Sequence, residues 1–250
     1  MAPADARPVM GVRFGTCQLR AGAENGAMRL APLGDTALMI EFGAGMDAAM
    51  LDQARVLADS LAMEPLPGVV DVVPAFGTVT VFYDLLKLRD YNELRTALEQ
   101  RVSRLSGNVR SEGREVVIPV CYAAEYAPDL RRVAMHTGLE PAEVAALHCR
   151  AEYRVAAVGF TPGFPYLAGL PEGLHTPRLA KPRTAVPAGS VGLGGAQTGI
   201  YPLASPGGWN LIGRTPMTLF NAAAVRAALL RVGDRVRFRS ISQEEFATWK

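Results

Sequence analysis

The sequence has 250 residues, of which 49% are hydrophobic and 20% charged, and its formal net charge is +2. This composition is typical of a globular protein with one large core or two small ones, and the balanced charge gives no basis for predicting binding to nucleic acid or to a membrane. The cysteines at positions 17, 121 and 149 are odd in number and widely spaced, which argues against a disulfide framework and a zinc site.

Residues 1–27 lack the apolar segment of a signal peptide, and no run of about 18 apolar residues is available to span a membrane. We therefore expect a cytoplasmic protein with no metal site. The first 27 residues are expected to be a disordered extension, or to precede a true start at Met28.

Residues 28–105 alternate predicted strands and helices. Segments 36–42, 68–73 and 78–84 are rich in β-branched and aromatic residues, which indicates strands. Apolar residues recur with helical spacing in two further segments, and these stripes are Met50, Ala54, Leu57 and Leu61, and then Tyr91, Leu94, Leu98, Val102 and Leu105. The simplest arrangement is a ferredoxin-like βαββαβ sandwich, which predicts a first domain over residues 28–110.

A polar segment at 106–115 reads as a linker to a second domain, residues 111–250. Residues 154–220 hold 12 of the 25 glycines and 9 of the 18 prolines, a density that suits a compact β-barrel with tight turns. We also predict two short helices within 130–148, a helix at 222–230 and a final strand in which Val236 and Phe238 alternate with arginines. The fold class is therefore α+β.

Two segments resemble known motifs only superficially. Residues 130–148 have the pattern of a helix-turn-helix, but the second helix, PAEVAALHC, is nearly uncharged and is better explained by packing. The glycine-rich segment 187–199 lacks the residues of a dinucleotide fingerprint or a phosphate loop. Glycine turns in a barrel are the favoured explanation, and a cradle of backbone N–H groups for an anion is the alternative.

The charges of residues 154–220 are unbalanced. Five basic residues, Arg154, Arg178, Lys181, Arg183 and Arg214, face one acidic residue, Glu172, so the segment carries +4 in a chain of +2. Arginines among aromatic rings suit a small organic anion, because guanidinium groups bind carboxylates and the rings pack against an apolar body. Solvated surface charge is the competing explanation.

Three stretches carry a family resemblance. They are YRVAAVGFTPGFPYLAGLP, PRTAVPAGSVGLGGAQTGIYPLASPGGWNLIGRTP and LGDTALMIEFG, and together they resemble the family of the 5-oxoprolinase B subunit, which includes allophanate hydrolase subunit one and the kinase inhibitor KipI. The resemblance extends from about Met28 to the C-terminus. It implies two domains, the second a cyclophilin-like β-barrel.

The resemblance also implies a function in a complex with an A subunit and a C subunit that opens 5-oxoproline to glutamate with ATP. Phosphorylation of the lactam oxygen, followed by attack of water on the activated carbon, would accomplish this. The sequence has neither a Walker motif nor carboxylates for Mg²⁺ in the barrel segment, so we expect ATP to be shared with or bound by a partner. The alternatives are an allophanate hydrolase-type subunit in urea breakdown and a KipI-like inhibitor of histidine kinase autophosphorylation.

Site residues follow from the family motif as it stands in this sequence. Arg183 and Arg214 are predicted to clamp a substrate anion, and Gln197 and Thr198 to donate or accept hydrogen bonds. The predicted wall of the site consists of Phe164, Tyr166, Tyr201 and Trp209. A lone helical histidine is more often a hydrogen-bonded core residue than a catalyst, yet His148 is the best candidate for proton transfer because imidazole titrates near neutral pH.

Overall fold

The computed structural model describes residues 28–43, 47–105 and 113–249 of the chain. Two separate sheet systems with flanking helices give the predicted α+β class, and the second sheet curls into a nearly closed barrel. The prediction for residues 1–27 lies outside the described residues.

The first sheet is antiparallel, with the strand order β1-β2-β4-β3. Its strands are β1 (Arg29–Pro32), β2 (Ala37–Glu41), β3 (Val69–Ala75) and β4 (Thr78–Tyr83), and its helices are α1 (Ala48–Met63) and α2 (Tyr91–Leu105). The element order is therefore ββαββα, where the sequence suggested βαββαβ. The edge beside β2 is taken by the preceding strand β1 and not by a strand that follows α2.

The core of this first unit follows from two periodicities. Alternate residues of the central strands, such as Leu38 and Val81, are fully buried against the helices. The predicted helical stripes supply the other side of the core, with Leu57 and Leu98 both inaccessible to solvent. The Asp47 carboxylate accepts the Ala49 N–H at 2.8 Å and so caps the start of α1.

The second sheet has seven strands in the order β12-β9-β10-β7-β6-β13-β5. They are β5 (Glu115–Val120), β6 (Tyr153–Val158), β7 (Pro165–Ala168), β9 (Ser190–Gly194), β10 (Gln197–Ile200), β12 (Asn210–Arg214) and β13 (Arg235–Ser240). Cys121 and Arg214 exchange two backbone hydrogen bonds of 2.8 and 3.0 Å, which join the two edges and close the barrel. A ribbon of β8 (Arg183–Val186) and β11 (Ser205–Gly207) lies beside it.

Three helices complete the barrel unit: α3 (Leu130–Thr137), α4 (Pro141–Arg150) and α5 (Gln243–Ala247). Val133 of α3 and Val144 of α4 are fully buried in the barrel core, as expected for packing helices. Gly138 ends α3 in the left-handed conformation, with φ of 72°. The helix-turn-helix pattern is thus a structural feature of this domain.

The prediction of a helix at 222–230 is wrong. The segment forms turns, and Leu229 and Asn221 donate their N–H groups to Leu219 and Ala227, which folds the chain back on itself. Alanine has the highest helix propensity, but propensity is a weak signal that tertiary packing overrides. Leu230 is the one residue from 222 to 230 that is buried, so a helix here would have no core to pack against.

The two units contact each other along β6. Phe76, at the tip of the β3–β4 hairpin, donates its N–H to Ala156 O at 2.6 Å, and Asp52 of α1 forms an ion pair with Arg154. Phe76 has a φ of 54°, which is unusual for a residue other than glycine. The hairpin tip is therefore held against the barrel in a specific conformation.

Within the described ranges, no helix is long and apolar enough to cross a bilayer. Cys121 and Cys149 are both free thiols.

Barrel closure depends on the absence of a side chain at Gly213. A Cβ at this position would lie 2.6 Å from Val120 Cγ1 and 3.0 Å from Cys121 O. We predict that Gly213→Ala lowers the free energy of unfolding by about 1–3 kcal/mol through overpacking, as measured by urea denaturation. Gly159→Ala is the matched control, because a Cβ there meets no atom within 4 Å. Equal losses in the two variants would contradict this explanation.

Candidate functional site

The two glycine- and proline-rich segments of the sequence meet on the outer face of the barrel. Thr198 and Ile200 of β10 point into the barrel core, so Gly199 between them faces outward. The ring of Phe164 lies against it, with its centre 4.9, 5.1 and 5.5 Å from the rings of Tyr166, Tyr201 and Trp209. We call these four residues and Phe160, whose ring centre is 5.6 Å from that of Phe164, the aromatic cluster.

Glycines allow the rings to lie directly on the strands. A Cβ at Gly194 would be 2.6–2.7 Å from ring atoms of Trp209, and one at Gly199 would be 2.9 Å from Cζ of Phe164. A Cβ at Gly207 would collide with the ring of Tyr201 in the same way. These glycines are therefore required by close approach of aromatic rings.

The anion-cradle alternative for residues 187–199 has little support. The backbone N–H groups of Gly189, Ser190 and Gly195 already donate to the carbonyls of Tyr201, Pro187 and Thr176. The remainder of the segment forms the β9–β10 hairpin ladder. The favoured explanation, glycines in a barrel, agrees with this, although Gly192, Gly194 and Gly199 lie in strands and not in turns.

The members of the predicted wall differ in accessibility. Phe164, Tyr201 and Trp209 are only 1–5% exposed, so they support the surface more than they form it. Tyr166 is half-buried, and Phe160 at the loop tip is 63% exposed with a left-handed φ of 65°. An exposed aromatic residue held in a rare backbone conformation is a candidate for binding.

Tyr166 also touches the first unit of the fold. Its ring centre is 5.9 Å from that of Phe76 at the tip of the β3–β4 hairpin. The accessible surface thus combines Phe76, Tyr166 and Phe160. The buried ring of Trp209, whose centre is 5.9 Å from that of Tyr166, supports it from beneath. The sequence did not reveal the part played by Phe76, because nothing in it connects the two domains.

Arg178 is the cation of this surface. It is exposed, its guanidinium carbon lies 5.6 Å from the centre of the Trp209 ring, and no acidic side chain among the described residues pairs with it. Arg178 is one of the five basic residues of the segment, but it is not among the site residues predicted from the motif. We call the surface formed by Phe76, Phe160, Tyr166 and Arg178, together with the buried Trp209 beneath it, the outer patch.

The two predicted clamp residues have other partners. Arg183 donates to Asp129 Oδ1 at 2.7 Å, and the second oxygen of this buried carboxylate accepts the Leu211 N–H, also at 2.7 Å. Arg214 donates through Nε to Ala188 O at 2.8 Å. Arg214 lies three residues beyond Leu211 on β12, about 10 Å along the strand. Each guanidinium is therefore held by an acceptor of the protein, although Nη1 of Arg183 is buried without one. A joint anion clamp of Arg183 and Arg214 stays a prediction.

The local charge excess is smaller than the sequence suggested. Asp129 and Asp52, both outside residues 154–220, form ion pairs with Arg183 and Arg154. No sequence pattern predicts these pairs, because their members are 54 and 102 residues apart. A count of charges within residues 154–220 omits the carboxylates from other segments that folding places next to these arginines.

Gln197 and Thr198 point to opposite faces of β10. Thr198 is fully buried inside the barrel, whereas Gln197 is half-buried on the face that carries the aromatic cluster, opposite Gly194. The two side chains therefore do not meet in one site. A role for Gln197 in substrate binding stays a prediction that agrees with its position.

His148 lies in the barrel core with no exposed surface. Thr198 Oγ1 donates to Gly192 O at 3.0 Å, so His148 Nε2, 3.1 Å from that hydroxyl, must be the donor to it. His148 Nδ1 then accepts from Tyr122 Oη at 2.8 Å. The imidazole also stacks on Phe238 at 4.3 Å. These contacts define a neutral ring with both nitrogens satisfied.

Burial lowers the pKa of His148 to about 3. The same burial raises the pKa of Tyr122 well above its usual value. The closed interior gives substrate no access to this pair, so the contacts favour a structural role. Proton transfer by His148 stays a prediction that the geometry does not support.

We searched the described residues for groups that could bind a metal ion or a nucleotide. Among the described residues, no three His, Cys, Asp or Glu side chains are grouped so as to hold a metal ion. The glycine-rich hairpin lacks the lysine and hydroxyl residue with which a phosphate loop binds Mg²⁺-ATP. That ATP is shared with or bound by a partner stays a prediction.

Comparison with known proteins places the fold and the motifs in one family. The model of the carboxyltransferase domain, subdomains C and D, matches residues 28–230. Over 227 residues the chain is 39% identical to the B subunit of 5-oxoprolinase from Bacillus subtilis, and the match covers 87% of this chain and 95% of that protein. The chain therefore belongs to the family of the 5-oxoprolinase B subunit.

Solved structures agree with this placement. The crystal structure of TTHA0988 is 40% identical with a TM-score of 0.73, and the match covers 82% of this chain but only 40% of that longer one. The urea carboxylase of Kluyveromyces lactis, at 20% identity and a TM-score of 0.70, shares the fold over 88% of this chain and 22% of its own.

The pKa of His148 makes stability depend on pH. The unfolded chain protonates this residue near pH 6.5 and the folded chain only near pH 3, so the unfolded state binds more protons between these values. We predict that this residue lowers the free energy of unfolding by about 1.4 kcal/mol per pH unit as the pH falls through that interval.

The measurement is urea denaturation at a series of pH values. His148→Gln should remove this part of the slope, whereas His136→Gln, at an exposed position of α3, should keep it. If the slope is the same in the wild type and in His148→Gln, the buried neutral imidazole is not its source.

Proposed function

We propose that this chain is the B subunit of an ATP-dependent 5-oxoprolinase complex that opens the lactam of 5-oxo-L-proline to L-glutamate. The observation that carries the proposal is the 39% identity to the Bacillus subtilis protein over 95% of that protein's length. Sequence similarity over nearly the whole length of both proteins is stronger support for a shared role than similarity in one motif would be. The urea carboxylase is only 20% identical to this chain, so its similarity supports a shared fold and not a shared activity.

The outer patch supports this substrate class. 5-Oxoproline has one carboxylate on a small, partly apolar ring, and Arg178 offers an unpaired guanidinium beside the aromatic face of Trp209. A guanidinium can bind a carboxylate through two parallel hydrogen bonds. Tyr166 and Phe160 provide apolar surface next to it. In this proposal, the chain's residues bind and orient the acid, and the rigid rings beneath keep the surface in place.

In this proposal, a second protein surface encloses the outer patch. A reaction that activates a lactam must exclude water until it is required, and the patch lies on the outer face of the barrel. We propose that the A and C subunits cover this face and supply or share ATP.

The proposed function is tested by co-expression with the A and C subunits from the same organism. Glutamate release from 5-oxoproline should require this chain and ATP. Allophanate and urea serve as competitors, and strong inhibition by allophanate would move the substrate assignment to the alternative. Full activity of A and C without this chain would overturn the proposal.

Arg178→Gln tests the substrate carboxylate contact. We predict that it raises KM for 5-oxoproline about tenfold or more with little change in kcat, because a hydrogen bond to a charged group is worth about 1.5–3 kcal/mol. Arg226→Gln, at an exposed arginine of the 221–229 segment, is the control. An unchanged KM in Arg178→Gln would remove this residue from the site.

Tyr166→Ala tests the aromatic surface. We predict a loss of kcat/KM or of partner docking, while the first unit stays folded and thermal unfolding remains cooperative. Tyr166→Phe keeps the ring and should keep most of the activity. If Tyr166→Ala unfolds the barrel instead, the stretch around it is core and not a binding surface.

A further inference from the structure

A cleft of about 520 Å³ lies between the two units of the fold. Its walls come from α1 and β3 on one side and from residues 230–234 and Arg114 on the other. None of the residues of the outer patch lines it. The volume lies in the range that small-molecule sites occupy.

Arg55 of α1 lies in this cleft with unsatisfied donors. Its side chain is 11% exposed, and Nη1 donates to Asp59 Oδ2 at 2.7 Å. Nε and Nη2 are buried, and no atom of the described residues accepts a hydrogen bond from either. A buried donor without an acceptor costs about 1–3 kcal/mol, and more when the group is charged. Such a cost indicates an acceptor that the described residues do not supply.

The barrel side of the cleft keeps Arg55 in place. Residues 231–234 form a tight turn in which Asp234 N donates to Arg231 O at 3.1 Å. Gly233 has a φ of 89° in this turn, and a Cβ there would collide with Cδ of Arg55. The absence of a side chain at Gly233 therefore lets the arginine extend across the boundary between the units.

The carboxylates of the cleft are already occupied. Asp234 Oδ2 accepts from Arg114 Nη2 at 2.8 Å and from Arg231 N at 3.0 Å, and Asp59 holds Arg55 Nη1. The Arg231 side chain is exposed, and no acidic side chain in the described ranges pairs with it. Among the described residues, three arginines and two aspartates line the cleft, which leaves an excess of one positive charge in this set.

We propose that the cleft binds a small oxyanion, a phosphate or a carboxylate, between Arg55 and Arg231. The anion accepts from the free guanidinium edge of Arg55, which belongs to the first unit, and from Arg231, which belongs to the barrel unit. It therefore stabilises the arrangement of the two units relative to each other. This site does not depend on the proposed 5-oxoprolinase activity, because its residues are separate from the outer patch.

The experiment measures the melting temperature of the full chain against increasing inorganic phosphate, with ionic strength held constant by NaCl. A second series with succinate distinguishes a carboxylate from a phosphate as the preferred oxyanion. A ligand that binds only the folded state raises the melting temperature by mass action. We expect a saturating rise with at least one of the two anions.

Substitutions in the cleft test whether the rise in melting temperature comes from anion binding at this site. Arg55→Gln and Arg231→Gln should each weaken the apparent affinity about tenfold or more, which corresponds to about 1.4 kcal/mol. Arg95→Gln is the matched control, because Arg95 forms an equivalent i,i+4 pair with Glu99 on the exposed face of α2. Arg231 is exposed, so its variant should melt like the wild type without anion and remains decisive if Arg55→Gln is unstable.

Two outcomes would overturn the proposal. One is the absence of a saturating rise with either anion, which would leave water as the partner of Arg55. The other is an unchanged anion affinity in Arg231→Gln.

Discussion

The contact of aromatic rings with glycine backbones is the constraint on which the candidate site depends. Phe164, Tyr201 and Trp209 lie so close to strands of the barrel and the β8–β11 ribbon that a Cβ beneath any of them would overlap the ring. The rings also contact each other edge to face around Phe164. Packing at this density fixes side-chain positions, because a ring cannot move without displacing a neighbour. The outer face of the barrel therefore carries a second, rigid core.

This second core explains how a loop rich in proline and glycine carries exposed aromatic residues. Phe164 anchors the loop, and Phe160 and Tyr166 on either side of it project outward, where Phe76 of the first unit meets Tyr166. Arg178 adds a positive charge over Trp209. The same surface thus offers rings and a cation without an acidic partner among the described residues, a combination that suits the small carboxylic acid of the proposed function. In the proposed function, the buried rings support the surface and the exposed residues contact the substrate.

Periodicity in the sequence predicted most of the fold but only part of the site. The strands at 78–84 and 36–42 and the stripes of α1 and α2 could be predicted because burial repeats with the period of the element. The segment 222–230 could not, since its alanines favour a helix that has no core to cover. The aromatic residues were found from the motif. The pairing of Arg183 with Asp129 was not, because an ion pair between distant segments leaves no local pattern.

The most direct test of the central constraint is a double-mutant cycle between Gly194 and Trp209, measured as free energy of unfolding in urea. Gly194→Ala should cost about 1–3 kcal/mol in the wild-type background, because its Cβ would overlap the indole. In a Trp209→Leu background, where the indole is absent, the same substitution should cost less than about 0.5 kcal/mol. An equal cost in both backgrounds would contradict the account, because the glycine would then be required for a reason other than the ring.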